Sequence, residues 1–137
     1  MQLNTYLNFN GDCAAAFKFY QQCLGGDIVT MMPFGETPGC EEIGPESRDK
    51  IMHACLLVDG QMLMGTDATP EHPYEGVKGV HVSINVDTPE EAERLFKAMT
   101  KAATVHMPLE ETFWAERFGM FQDQFGVSWM INCAKPQ

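Results

Sequence analysis

The order strand-like run, amphipathic helix, three further strand-like runs occurs twice in this chain. That repetition narrows the accessible folds more than any other feature. The first helix signal is "GDCAAAFKFYQQCLGG" (11–26), where Cys13, Phe17, Tyr20 and Leu24 fall on one stripe and Gly25–Gly26 supplies a stop. The second is "DTPEEAERLFKAMTKAA" (87–103). Thr88 is its N-cap, Pro89 its first helical residue, and Glu91 completes a capping box. Its apolar stripe is Ala92, Leu95, Phe96 and Met99. "LNTYLNF" precedes the first helix and "GVHVSINV" the second; in the latter Val80, Val82, Ile84 and Val86 alternate with His81, Ser83 and Asn85.

Three strand candidates follow each helix, at about 27–34, 51–58 and 61–67 and then at about 104–108, 117–122 and 127–133. "VDGQ" (58–61) and "QFGV" (124–127) mark the last hairpin turn of each set. The chain therefore reads β-α-β-β-β twice: module one over about 1–68, a Pro- and Gly-rich connection over 69–79, and module two over about 80–134. A four-stranded half cannot bury both of its faces alone. The expected fold class is thus α+β, two βαβββ modules forming a curled mixed sheet around a cup, with the helices outside. The stretch 35–49 is long for a hairpin connection and is a candidate lid or interface element, with a plain surface loop as the alternative.

Charge and composition exclude several functions. A net charge of −10, with no basic stripe, argues against nucleic acid. No apolar run approaches the ~20 residues of a membrane span. The start "MQLNTYLNFNG" lacks the basic and apolar segments of a secretion signal. The five cysteines, Cys13, Cys23, Cys40, Cys55 and Cys133, form neither a C-x-x-C motif nor a paired Cys/His spacing. They read as buried thiols of a cytoplasmic protein.

The segments "YLNFNGDCAAAFKFYQQCLGG" (6–26), "GQMLMGTDA" (60–68), "ETFWAERFG" (111–119) and "DQFGVSWMIN" (123–132) resemble the vicinal oxygen chelate superfamily, which includes glyoxalase I, extradiol dioxygenases and the bleomycin- and fosfomycin-resistance proteins. Within it the chain looks most like the PhnB-like branch, and the resemblance spans essentially its whole length. It implies a homodimer but fixes no single reaction. The superfamily's metal enzymes typically place one ligand on the first and last strand of each half. By that pattern His81 occupies one ligand position, and Asn4, or Thr5 if the register slips by one, occupies its counterpart. The two carboxylate positions, four residues beyond Gly60 and Gly126, hold Met64 and Met130. A thioether is a poor donor to the divalent ions these enzymes use, so no metal and no other cofactor is expected.

Strand alternation puts Ser128, Met130 and Asn132 on one face and Val127, Trp129 and Ile131 on the other. With Met130 inward, Trp129 belongs to the core. Met62, Met64 and Thr66 face inward in module one, and His81, Ser83 and Asn85 in module two. The expected substrate-binding set is Tyr6, Met64, His81, Ser83, Trp114 and Met130, with capping of the sheet edge the alternative for Trp114 and a packed aromatic that for Tyr6. His81 is the candidate catalytic residue, a general base if a reaction occurs, with a hydrogen-bonded interior histidine as the bland alternative. His53, His72 and His106 lack a motif context. Glu111, Glu116 and Arg117 read as rim charges, and Asp67 as a turn stabiliser. The methyltransferase name sometimes attached to PhnB-like proteins finds no support, because no G-x-G-x-x-G follows a strand. The function expected is metal-free binding of a small apolar or amphipathic molecule. The alternative is a glyoxalase-like lyase or isomerase acting through His81.

Overall fold

A computed structural model describes residues 1–39 and 43–136. Its elements run β1 (Thr5–Phe9), α1 (Cys13–Leu24), β2 (Asp27–Pro33), β3 (Ile51–Val58), β4 (Gln61–Asp67), β5 (Val82–Asn85), α2 (Pro89–Met99), β6 (Thr104–Glu110), β7 (Ala115–Gln122) and β8 (Ser128–Ala134). The strands hydrogen-bond as two four-stranded mixed sheets, ordered β1-β4-β3-β2 and β5-β8-β7-β6. In each sheet the first strand pairs parallel with the last, and the others pair antiparallel. The chain divides into two compact units, Met1–Gly76 and Val77–Gln137.

In the first unit α1 covers one face of its sheet. Cys13, Ala16, Phe17, Tyr20 and Cys23 are buried along the helix, so the apolar stripe is broader than the spacing predicts and Leu24 sits at its margin. Phe9, Phe17 and Tyr20 form the aromatic centre of this layer, with ring centroids 5.9–6.5 Å apart. Gly65 lies directly beneath: a Cβ there would come within 2.7 Å of the Phe17 ring, so the residue has to be small. Asp59 and Gly60, both at positive φ, make the β3–β4 turn.

One buried carboxylate fastens the strands and the helix of this unit together. Asp67 is only 3% exposed. Its Oδ1 accepts from the Gly11 and Cys13 backbone N–H groups at the start of α1, and its Oδ2 accepts from Ile51 N at the start of β3. The expected turn role was too small: the side chain satisfies otherwise orphaned N–H donors of a helix and a strand at once. Burial, then Asp67 and Asp12, push the Cys13 thiol well above the usual thiol range, so it stays protonated packing material.

The second unit is built alike. Thr88 caps α2 by accepting from Glu91 N, as the capping box predicts. Ala92, Leu95 and Met99 are buried, and Phe96 packs edge-on against Phe121 at 5.5 Å. Trp129 is 1% exposed beneath the helix layer, in the core position expected for it. Its indole N–H donates to Asp123 Oδ2 at 2.8 Å, while Asp123 Oδ1 accepts from Phe125 N and Val127 N.

Two expected strands start later than their alternation suggests. β5 opens at Val82, opposite Trp129, and Val80 and His81 lie ahead of the ladder. Val80, expected against the helix, is instead 63% exposed. β1 likewise opens at Thr5, opposite Leu63. The described parts of 35–49 continue the β2–β3 hairpin: Phe34 N bonds Lys50 O, Gly35 N bonds Arg48 O, and Ser47 is buried. The middle of that stretch, and with it Cys40, lies outside the described residues.

Replacing Asp67 by Asn leaves at least one backbone donor facing an amide NH₂. The change should lower unfolding free energy by about 1–3 kcal/mol in urea titrations. Unchanged stability would remove the carboxylate from its organising role.

Candidate functional site

The face each sheet turns away from its helix follows from the register. In the first sheet Gly65 meets Phe17, so Met62, Met64 and Thr66 point the other way. Tyr6 lies opposite Met64, Met64 opposite Cys55, and Cys55 opposite Thr30, giving one transverse row on the helix-free face. His53 and Met32 form a cross-strand pair beside it. In the second sheet Gly119 would collide with Phe96, so Phe118 and Met120 take the helix-free face. Its first row is Ser83–Met130–Met120–Met107 and its second Asn85–Asn132–Phe118–Glu110. Direct cross-strand neighbours sit about 5 Å apart, so each row is continuous.

Tyr6 and Met64 thus come together in the first unit, and Ser83 and Met130 in the second. The Tyr6 phenol reaches across β4 to lie 3.2 Å from His53 Nδ1. Burial and then the Cys13 thiol raise its pKa, against a smaller lowering by the Thr66 hydroxyl. The phenol therefore keeps its proton at neutral pH, and it shares a hydrogen bond with the imidazole. His53, passed over in the sequence, is the polar partner of this face. Its position two residues before Cys55 on β3 was the available signal, but only the pairing of β1 with β4 brings Tyr6 within reach.

His81 stands exposed just ahead of β5, two residues before Ser83, with no hydrogen-bond or ion-pair partner among the described residues. Trp114 occupies the short turn between β6 and β7 and is 46% exposed. It packs edge-on between Phe113 and Phe118, at ring distances of 4.8 and 5.4 Å. Thr112 closes that turn, with Thr112 N bonded to Ala115 O and Ala115 N to Thr112 Oγ1. Glu111 pairs with Lys135 and Arg117 with Glu93, while Glu116 takes a 3.7 Å contact from the Cys133 thiol. The first two pairs are exposed and weak.

Two mixed βαβββ sheets with these faces define the class. The sequence matches the Glyoxalase/Bleomycin resistance protein/Dioxygenase superfamily over residues 2–131, and the chain belongs to that family. It is 35% identical to Protein YjdN of Escherichia coli K12, over all of this chain and 98% of that protein. The structure of protein PA1353 from Pseudomonas aeruginosa is 50% identical, with a TM-score of 0.91 and 99% of both chains covered. A Bacillus cereus structure described as a putative 3-demethylubiquinone-9 3-methyltransferase, PhnB protein, is 25% identical, with a TM-score of 0.81 over 98% of this chain and all of that one.

The register also decides the ligand comparison. Tyr6 pairs with Met64 as Ser83 pairs with Met130, so the counterpart of His81 is Asn4, not Thr5. The four positions hold an amide and a thioether in the first unit and an imidazole and a thioether in the second. These donors do not fit the divalent cation of the family's metal enzymes. Among the described residues no group of three or more His, Cys, Asp or Glu side chains could hold a metal ion.

In Tyr6→Phe the hydrogen bond that orients the His53 ring through Nδ1 disappears. Imidazole ¹⁵N shifts should move toward the tautomer mixture of an unconstrained histidine. Identical shifts in both proteins would show that the phenol does not bond there.

Proposed function

We propose that this protein binds a small apolar or amphipathic molecule against the helix-free sheet faces, without the metal centre of the family's enzymes. The observation that carries this reading is the pair of thioethers, Met64 and Met130, at the strand positions where carboxylate ligands would be needed. Methionine offers a flexible, polarisable surface that adapts to varied apolar shapes. Met32, Met107 and Met120 extend that surface, and Tyr6–His53, Ser83 and Asn85 supply sparse hydrogen bonding. Binding is favoured over a reaction at His81, because that imidazole makes no hydrogen bond or ion pair among the described residues.

The reading is tested by a thermal-shift ligand screen on purified protein, with and without chelator, beside metal analysis. Ligands should raise the melting temperature equally in both conditions. Met130→Lys should weaken binding about tenfold or more by placing a charge on the apolar face. Stoichiometric zinc or nickel, or binding that vanishes with chelator, would overturn the assignment.

The protein acts as a homodimer in this reading. The outer strands β2 and β6 leave Val29, Met32, Val105 and Met107 between 37% and 52% exposed. Open apolar edges of this kind invite a covering strand or face, which an identical chain can supply. Light scattering at micromolar concentration should give twice the chain mass; a monomer would refute it. The four described cysteines are buried, which suits the reducing cytoplasm, and none of the described helices is long and apolar enough to cross a membrane.

A further inference from the structure

The helix-free face of the second sheet is not uniformly apolar. One end, where β6 meets β7, combines three features that the methionine row lacks. Phe113, Trp114 and Phe118 form a chain of edge-packed rings, with Phe113 88% and Trp114 46% exposed. Glu110 stands directly opposite Phe118 across the ladder. Its neighbour Glu111 is neutralised by Lys135, and Glu93 by Arg117, but Glu110 has no ion-pair partner among the described residues. On the other side of Phe118 lies Asn132. Its Nδ2 donates to Asn85 Oδ1, while its buried Oδ1 has no hydrogen-bond partner among the described residues.

We infer that this end of the sheet recognises an organic ammonium ion, an amine cation carried on an apolar or aromatic body. Each feature asks for the same group. Ring faces attract a cation through their quadrupole, an unpaired carboxylate attracts positive charge, and an unsatisfied carbonyl oxygen accepts from an N–H. A neutral ligand leaves the charge of Glu110 uncompensated, and an anion is repelled by Glu110 in a chain of net charge −10. The Thr112 hydrogen bonds hold the Phe113–Trp114 turn in place before a ligand arrives, which lowers the ordering cost of binding. The methionine row one rung away receives the ligand's apolar body. The inference rests on the binding function proposed above and supplies its ligand class.

Four probes of one shape separate the contributions: benzylammonium, benzyltrimethylammonium, benzyl alcohol and benzoate. Binding is read from the two indole N–H signals in ¹H–¹⁵N spectra. Trp114 should shift while Trp129, held on Asp123 in the core, stays still. Benzylammonium should bind most tightly, and benzyltrimethylammonium, charged but without N–H, several-fold more weakly. Benzyl alcohol should be about tenfold weaker than benzylammonium, within the range open to cation–π contacts, and benzoate should leave the spectrum unchanged. Glu110→Gln should reduce benzylammonium affinity about two- to fivefold and change benzyl alcohol affinity less. Equal affinity for the alcohol and the ammonium sinks the charge selectivity while leaving small-molecule binding intact. A Trp114 signal that no probe moves overturns the site itself, and the broad ligand screen then judges the wider function separately.

Discussion

A single indole N–H on a buried carboxylate decides which way the last strand faces. With Trp129 held on Asp123, Ile131 and Cys133 follow it under α2, and Met130 and Asn132 must take the opposite face. Because side chains alternate, slipping this strand by one residue would send the methionine into the core and the tryptophan out. Asp123 also closes the preceding turn through Phe125 N and Val127 N, so the same side chain sets where β8 begins. Asp67 does the corresponding job in the first unit from a different position, at the end of its strand and not in a turn. It joins groups 54 and 56 residues away in sequence at the start of α1, and one 16 residues away in β3.

Once the facing is fixed, the chemistry of the helix-free surfaces follows. Metal enzymes on this fold need hard or borderline donors converging from the strand ends. Here the positions where carboxylates would be needed, Met64 and Met130, carry long thioether side chains whose soft sulfur is a poor donor to such ions. The scaffold is conserved in geometry with its relatives, as a TM-score of 0.91 to the Pseudomonas protein attests, while its chemistry is set by whatever side chains those strand positions present. The polar groups that remain are few and placed at the margins: a phenol–imidazole pair in one unit, an acid and two amides beside aromatic rings in the other.

Much of this was readable from residues close together in the chain. The capping box of α2, the glycine turns, and the alternation through "SWMIN" located the elements and put Met130 and Trp129 on opposite faces. The strand ends were less readable. Val80 and His81 continue the alternation perfectly but lie ahead of the first ladder pair, Val82 with Trp129. His53 was invisible for a related reason. It becomes a site residue only because a parallel pairing carries Tyr6 to the far side of β4. Glu110 and Asn132 likewise gain meaning from standing on either side of Phe118, a neighbourhood built from three separate strands.

The sequence by itself determined the repeated βαβββ order, the buried stripes and the absence of a carboxylate four residues past each hairpin glycine. Each depends on spacing within one element or one turn, and backbone periodicity converts that spacing directly into geometry. Tertiary structure alone decided the register that matches Asn4 with His81, the burial of Asp67 and Asp123 as hydrogen-bond hubs, and the meeting of Tyr6 with His53. Those are relations between strands far apart in the chain. They are set by which ladder pairs the buried backbone groups and packs the buried faces, and no local pattern encodes that condition.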